Sequence, residues 1–157
     1  MPSELHKPNI VITDASCFIL LDKIEALDLL KDLYSTVLTT PEIAVEFKKR
    51  LPDWVQVIAV ANRERLYDYA DNVDIGEASA IALAFEVDNP TLILDDMKGR
   101  KLADQLNLRY TGTIGLLVRA RQINVITKLE PYFTKIKSTN FRYPSALLQQ
   151  LLDQFDK

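Results

Sequence analysis

Short β-branched apolar runs alternate along the chain with longer segments whose apolar residues recur at helical spacing. "NIVIT" (9–13), "STVLTT" (35–40), "WVQVIAV" (54–60) and "TLILD" (91–95) predict strands, and "RYTG" (109–112) a short strand and turn. Between them, "CFILLDKIEALDLLKDLY" (17–34) predicts one helix or two short ones. "PEIAVEFKKR" (41–50) predicts a helix with Pro41 at its first position, where a missing N–H costs nothing, and Pro52 ends it. "NRERLYDYADNV" (62–73) reads as a polar, exposed helix or turn, and "IGEASAIALAFEV" (75–87) as an alanine-rich helix that "NP" breaks. "MKGRKLADQLNL" (97–108), "TIGLLVRARQ" (113–122, with Thr113 as N-cap), "TKLEPYFTKIK" (127–137) and "PSALLQQLLDQF" (144–155) complete the helices. The last carries Leu147, Leu148, Leu151, Leu152 and Phe155 on one stripe, which packs on its own domain or, alternatively, on a partner.

Strands alternating with helices predict an α/β fold: one domain over residues 1–157, an α/β/α sandwich around a central parallel sheet. No internal repeat or linker divides it. Residues number 157, 48% are hydrophobic and 26% charged, so the composition is globular and sufficient for a core. A net charge of −3 means that nucleic acid could be held only by local basic patches. One cysteine, Cys17, excludes an internal disulfide and a cysteine-rich zinc site; it reads as a small buried hydrophobe. The only histidine, His6, lies in a polar N-terminal stretch, so a metal site would be built from oxygen ligands. With no signal peptide or long apolar span, the expected location is cytoplasmic, away from membranes.

In open parallel sheets, ligands bind beyond the carboxyl ends of the strands. The acids at those ends are Asp14, after the first strand, and the doublet Asp95–Asp96, after the strand 91–95. Glu46, on the helix after the second strand, and Glu77, in the first turn of the helix 75–87, could reach the same rim. Each alone has an ordinary reading: Asp14 and Asp96 as helix caps, Glu77 as a first-turn acid facing the helix dipole, Glu46 as a solvated neighbour of Lys49 and Arg50. Together they would repel one another unless a cation neutralised them, and oxygen-only ligation suits Mg²⁺ or Mn²⁺. Lys98, Arg100 and Lys101 follow the doublet closely, where a phosphate backbone could pass, and the planar fork of Arg100 suits phosphate best.

"VITDAS", "TTPEIAVEF", "GEASAIALA" and "LILDDMKGRKLADQLNLRYTGTIGLLVRA" together resemble the PIN-domain proteins, in the bacterial and archaeal subgroup related to the VapC-type toxins. The resemblance is strongest over residues 9–125, leaving C-terminal helices over 126–157. It implies a Mg²⁺- or Mn²⁺-dependent endoribonuclease that hydrolyses RNA phosphodiesters to a 5′-phosphate and a 3′-hydroxyl. By position it implies Asp14, Glu46, Glu77 and one of Asp95 and Asp96 as site acids; where many relatives carry Thr-Arg/Asn-Asp this chain has Leu-Asp-Asp, and the doublet stays open. Toxin-like membership would also imply an antitoxin partner and a homodimer. The alternative is a PIN-like module that binds RNA or protein without cutting. An aspartyl-phosphate enzyme is disfavoured, since "DAS" lacks a second aspartate two residues after the first.

Overall fold

The structure is a computed structural model and describes residues 10–157. His6 and the first residue of the predicted strand 9–13 lie outside the described residues. In chain order the elements are β1 (Ile10–Thr13), α1 (Ala15–Lys23), α2 (Asp28–Leu33), β2 (Thr36–Thr39), α3 (Pro41–Phe47), β3 (Val55–Val57) and α4 (Arg63–Ala70). Then follow α5 (Ile75–Ala84), β4 (Thr91–Ile93), α6 (Met97–Gln105), β5 (Tyr110–Thr111), α7 (Thr113–Gln122), α8 (Glu130–Lys137) and α9 (Ser145–Phe155).

The five strands form one wholly parallel sheet in the order β3-β2-β1-β4-β5. Val11 of β1 stands opposite Val37 on one side and Thr91 on the other, so β1 is the centre of the sheet. Its residues are covered on both faces, as parallel strands must be: Val11 and Ile12 are fully buried, as are Leu92 and Ile93 of β4. From β1 the chain builds outward through β2 to β3, then returns to the opposite flank for β4 and β5. That reversal opens a crevice at the carboxyl ends of β1 and β4, where such folds bind ligands.

The predicted strands are all present, and those after the first are shorter at their ends. The stretch 54–60 keeps only Val55–Val57 because β3 is an edge strand, bonded to β2 alone. The segment 17–34 divides into α1 and α2 at Glu25, whose left-handed φ of 58° no helix can pass through. Lys48, Asn89, Asn107 and Asn124 make similar left-handed turns. The protein's four glycines, Gly76, Gly99, Gly112 and Gly115, are not among these turns; they lie between residues 76 and 115, with no positive φ.

α5 is buried along its length from Gly76 to Ala84 and packs against α3, α4, β1 and β4. A helix apolar on every side belongs inside. α9 lies against α7, with Leu148 2% exposed and Leu151, Leu152 and Phe155 packed on the core. Asp156, beyond its end, accepts hydrogen bonds from the N–H groups of Leu129 and Glu130 at 2.8 and 2.9 Å, tying α9 to the start of α8. The stripe on α9 thus packs largely on its own domain. Among the described residues no helix is long and apolar enough to cross a membrane.

Candidate active site

Asp14 follows β1 directly and caps α1, its Oδ1 accepting the Cys17 N–H at 2.9 Å. Its Oδ2 accepts the Asp95 N–H at 3.3 Å, across 81 residues of sequence. The side chain is 4% exposed. Burial, and then the charge of Asp95, push its pKa up to about 8, although the two N–H donors pull the other way. A capping residue is therefore also an acid that gives up its proton reluctantly.

α5 brings the second acid. Asp74 caps this helix by accepting the Glu77 N–H at 2.8 Å. Glu77 is 8% exposed, carried inward by the buried helix. Burial, a side-chain hydrogen bond with Asp74, and the charges of Asp74, Asp96 and Asp14 push its pKa up to about 9. Its Oε2 is buried without a hydrogen-bond partner. Unpartnered buried oxygens are rare; Thr13 Oγ1 and Glu42 Oε1 are the others among the described residues. Glu46 reaches the same place from α3, which Thr40 starts by accepting the Ile43 N–H. Burial and the charge of Asp74 raise its pKa. A Cβ on Gly76 would stand 3.0 Å from Glu46 Oε1 and 3.5 Å from Asp74 Oδ1, so the first turn of α5 leaves room for both acids. Lys49 and Arg50, the basic neighbours of Glu46 in sequence, pair with Asp22 and Asp53.

The two carboxylates of the doublet part company. Asp96 caps α6, accepting the Lys98 N–H at 3.1 Å, and lines a small cleft with Asp14, Ser16, Glu46, Asp74 and Glu77. Asp95 instead takes the Thr113 N–H at 2.8 Å and the Thr113 hydroxyl at 2.6 Å, clamping the start of α7 to the end of β4. This corrects the expected N-cap of α7: Gly112 holds that position, and the Thr113 hydroxyl donates to a carboxylate rather than accepting from the helix. A short polar side chain before a helix signals a cap, but not which way its hydroxyl turns.

The basic residues also divide. Lys98 and Lys101 line a groove with Asn72, Leu102 and Gln105 on one side of α6. Arg100 turns to the other side, where its Nε donates to Leu94 O at 2.8 Å and its guanidinium lies 5.6 Å from the centre of the Tyr110 ring. A Cβ on Gly99 would collide with Glu77 Oε2, so glycine is what lets α6 lie against the buried acid.

Asp74, Thr113 and Tyr143 belong to this neighbourhood and were not expected there. Asp74 had a signal, standing just before the predicted helix 75–87 where aspartate caps are favoured. Tyr143, pushed upward in pKa by burial and by the charge of Asp95, comes from the segment before α9, and no spacing in the sequence marks it.

The cleft offers about 20 Å³, room for one water-sized guest. Among the described residues no three acid, histidine or cysteine side chains close into a ready-made metal cage. The donor set is nonetheless of the kind a hard divalent ion takes: carboxylates only, three with raised pKa values and one with an unpartnered buried oxygen. Asp14, Glu46, Glu77 and Asp96 line the cleft together, and their carboxylates match such an ion in chemistry.

A sequence model of the PIN-domain family matches residues 10–157, nearly all of the chain and the whole of the described structure. No curated protein matches it. PIN domains are nuclease-type folds that bind nucleic acid and usually use divalent metal ions. The match reaches the PIN domain as such and does not single out the toxin-related subgroup. With the parallel sheet, the reversal point beside β1 and the acids gathered there, this chain belongs to the PIN-domain family.

Proposed function

We propose that the protein is a Mg²⁺- or Mn²⁺-dependent ribonuclease in which Asp14, Glu46, Glu77 and Asp96 hold the metal. The observation that carries this reading is the cleft itself: acids from four separate segments surround a space of about 20 Å³, one with a buried oxygen that nothing else satisfies. A module that only bound RNA would have no use for that repulsion. When bound, a divalent cation would lower the pKa of a water and polarise the phosphoryl oxygen. The residues of the chain do the rest. Asp14 and Asp96 are fixed by the N–H groups they cap, so they present oxygens without losing side-chain freedom at the moment of reaction. Asp95 acts as a positioning residue: its N–H orients Asp14 while its carboxylate anchors Thr113. Lys98 and Lys101 supply positive charge for the flanking phosphates.

The test is an Mn²⁺ titration read by cleavage of a labelled RNA and by thermal melting. Wild type should cleave and gain melting temperature with metal, because a ligand bound only by the folded state stabilises it; Asp14→Asn should do neither. Full cleavage by that variant would sink the assignment. The likeness to VapC-type toxins supports two finer readings, a homodimer and an antitoxin partner. Sedimentation of the protein alone, and after co-expression with any small reading frame just upstream of its gene, tests both.

A further inference from the structure

Charge is unevenly spread along the chain. Between Gln105 and Leu152 stand seven lysines and arginines and one acid, Glu130, in a protein of net charge −3. The layer of α7, α8 and α9 is therefore a basic flank, set against the acids of the cleft. Several of its cations are occupied: Arg109 donates to Asn89 Oδ1 at 2.6 Å, Lys128 to Asp156 O at 3.1 Å, and Arg121 pairs with Asp156 at 3.8 Å. Lys137 and Arg142 instead border one pocket of about 180 Å³ between the end of α8 and the start of α9. Its floor is apolar, made by Ile136, Phe141 and Leu148, and Ser145 adds a hydroxyl. No residue that lines it is acidic. Arg142 Nη1 donates to Thr139 O at 2.6 Å and to Phe141 O at 3.0 Å, so the guanidinium is set in place before any ligand arrives. Lys137 makes no hydrogen bond or ion pair among the described residues. Lys23, at the end of α1, stands behind the same segment, 2.8 Å from Asn140 Oδ1 and 5.8 Å from the centre of the Phe141 ring. Cations gathered without a counter-charge repel one another as the acids of the cleft do, and an anion relieves them.

Tyr143, next in the chain, lines both this pocket and a larger groove of about 620 Å³ beside the 95–97 turn, whose wall includes Asp95, Met97, Arg100 and Tyr110. The N–H of Asp95 holds Asp14, so cleft, groove and pocket follow one another through shared walls. We propose that the pocket is a second anchoring site for the RNA, holding a backbone phosphate remote from the one over the acid cleft. The proposal rests on the ribonuclease reading above for the identity of its ligand. A volume of about 180 Å³ falls below the roughly 300 Å³ at which small-ligand sites begin, so the pocket admits a phosphate group and no nucleoside. A fixed guanidinium fork, an ammonium and a hydroxyl together suit an anion with several oxygens. The site reads the charge and length of the chain and no base, and it confers affinity on long RNA that a short fragment cannot gain.

The experiment uses the full chain, with Ca²⁺ in place of Mn²⁺, and fluorescein-labelled RNA of about four and about twelve nucleotides, read by anisotropy against salt. Lys137→Ala should weaken the longer RNA roughly 5-fold at low salt and lower its log–log salt slope by about 0.7, and Lys137→Glu should weaken it further. Arg142→Ala should match Lys137→Ala, and the short RNA should bind every variant as it binds wild type. Lys137 is exposed, so its substitution keeps the test decisive even if Arg142→Ala loosens the segment it holds. In Mn²⁺, cleavage of the longer RNA should show the same loss in KM with kcat unchanged. Equal losses for the two lengths, an unchanged slope, or a KM that stays at the wild-type value would overturn the proposal. So would displacement of the longer RNA by poly-glutamate as readily as by inorganic polyphosphate, which assigns the pocket to an acidic protein. Binding is read without cleavage: a length-dependent loss in a protein that cuts nothing refutes only the nuclease reading, and cleavage without any length-dependent loss refutes only the pocket.

Discussion

The acid cleft and the groove beside it share one turn of chain, residues 95–97, and are otherwise opposites. The cleft holds about 20 Å³ among acids, three of them with pKa values raised by burial and mutual charge. The groove holds about 620 Å³ among rings, a thioether and a guanidinium. Two adjacent aspartates divide between them, Asp96 to the cleft and Asp95 to Thr113 at the groove wall. Sequence adjacency therefore says little about shared chemistry at the end of a strand, where successive side chains leave in different directions.

The largest effect should come from separating the doublet. Asp96→Asn should lower Mn²⁺-dependent cleavage by about 100-fold or more while leaving urea unfolding near wild type, because asparagine caps a helix as well as aspartate. Asp95→Asn should do the reverse, weakening the two bonds to Thr113 at a cost of about 1–3 kcal/mol in unfolding free energy and keeping the metal-induced rise in melting temperature. If both variants lose metal response equally, the division between cleft and groove is wrong.

Next in size is Gly99→Ala. The added methyl must displace either α6 or Glu77, at about 1–3 kcal/mol for overpacking, and Mn²⁺ should stabilise this variant less than wild type. Calorimetry with and without metal would show it.

A smaller effect, confined to the cleft, is a pH trend. Asp14 and Glu77 bind protons more tightly in the folded state, at about 8 and about 9, than at their ordinary values of 3.8 and 4.5. Between those limits the folded protein holds more protons, so stability without metal should fall as pH rises from 5 to 9. Melting measured in EDTA should show the decline, Asp14→Asn should flatten it, and Mn²⁺ at pH 8 should oppose it. A flat profile in wild type would mean that the carboxyls are already ionised and the cleft is not strained.

The smallest effect should be at the rim. Lys98→Ala and Lys101→Ala should each reduce the salt dependence of single-strand binding by about 0.7 in the log–log slope, with affinity changing only a few-fold. An unchanged slope would remove these lysines from the path of the strand.

Much of this was legible from residue pattern. β1 and β4 are central, so their sequences read as unbroken apolar runs, and the acids after them stand at the rim by the geometry of parallel sheets. Glu77 was legible as a first-turn acid, and Asp14 and Asp96 as caps; the structure places all three in the cleft while keeping two of them as caps. The ordinary reading of Asp14 and Asp96 as caps holds, and their place in the cleft is what the proposed function builds on. The direction of Asp95 was not legible, because it depends on where α7 starts relative to β4, a contact across 18 residues that no local period encodes. Nor was Tyr143, which reaches the site from a segment without regular structure. The glycines were an unread signal. A chain that closes its turns with Asn, Lys and Glu and keeps all four glycines between 76 and 115 marks where backbone must lie close to side chains.

Under the proposed function, the capping role of Asp14 and Asp96 has a practical consequence for anyone wishing to capture a bound RNA. A protein disarmed by alanine at these positions loses the starts of α1 and α6 along with its chemistry, about 1 kcal/mol at each cap, and its failure to retain RNA would say nothing about recognition. Asparagine keeps the caps and removes the charge. A double Asp14→Asn, Asp96→Asn protein is accordingly the suitable bait for the proposed function: it keeps both caps and repels phosphate less than the wild-type protein does.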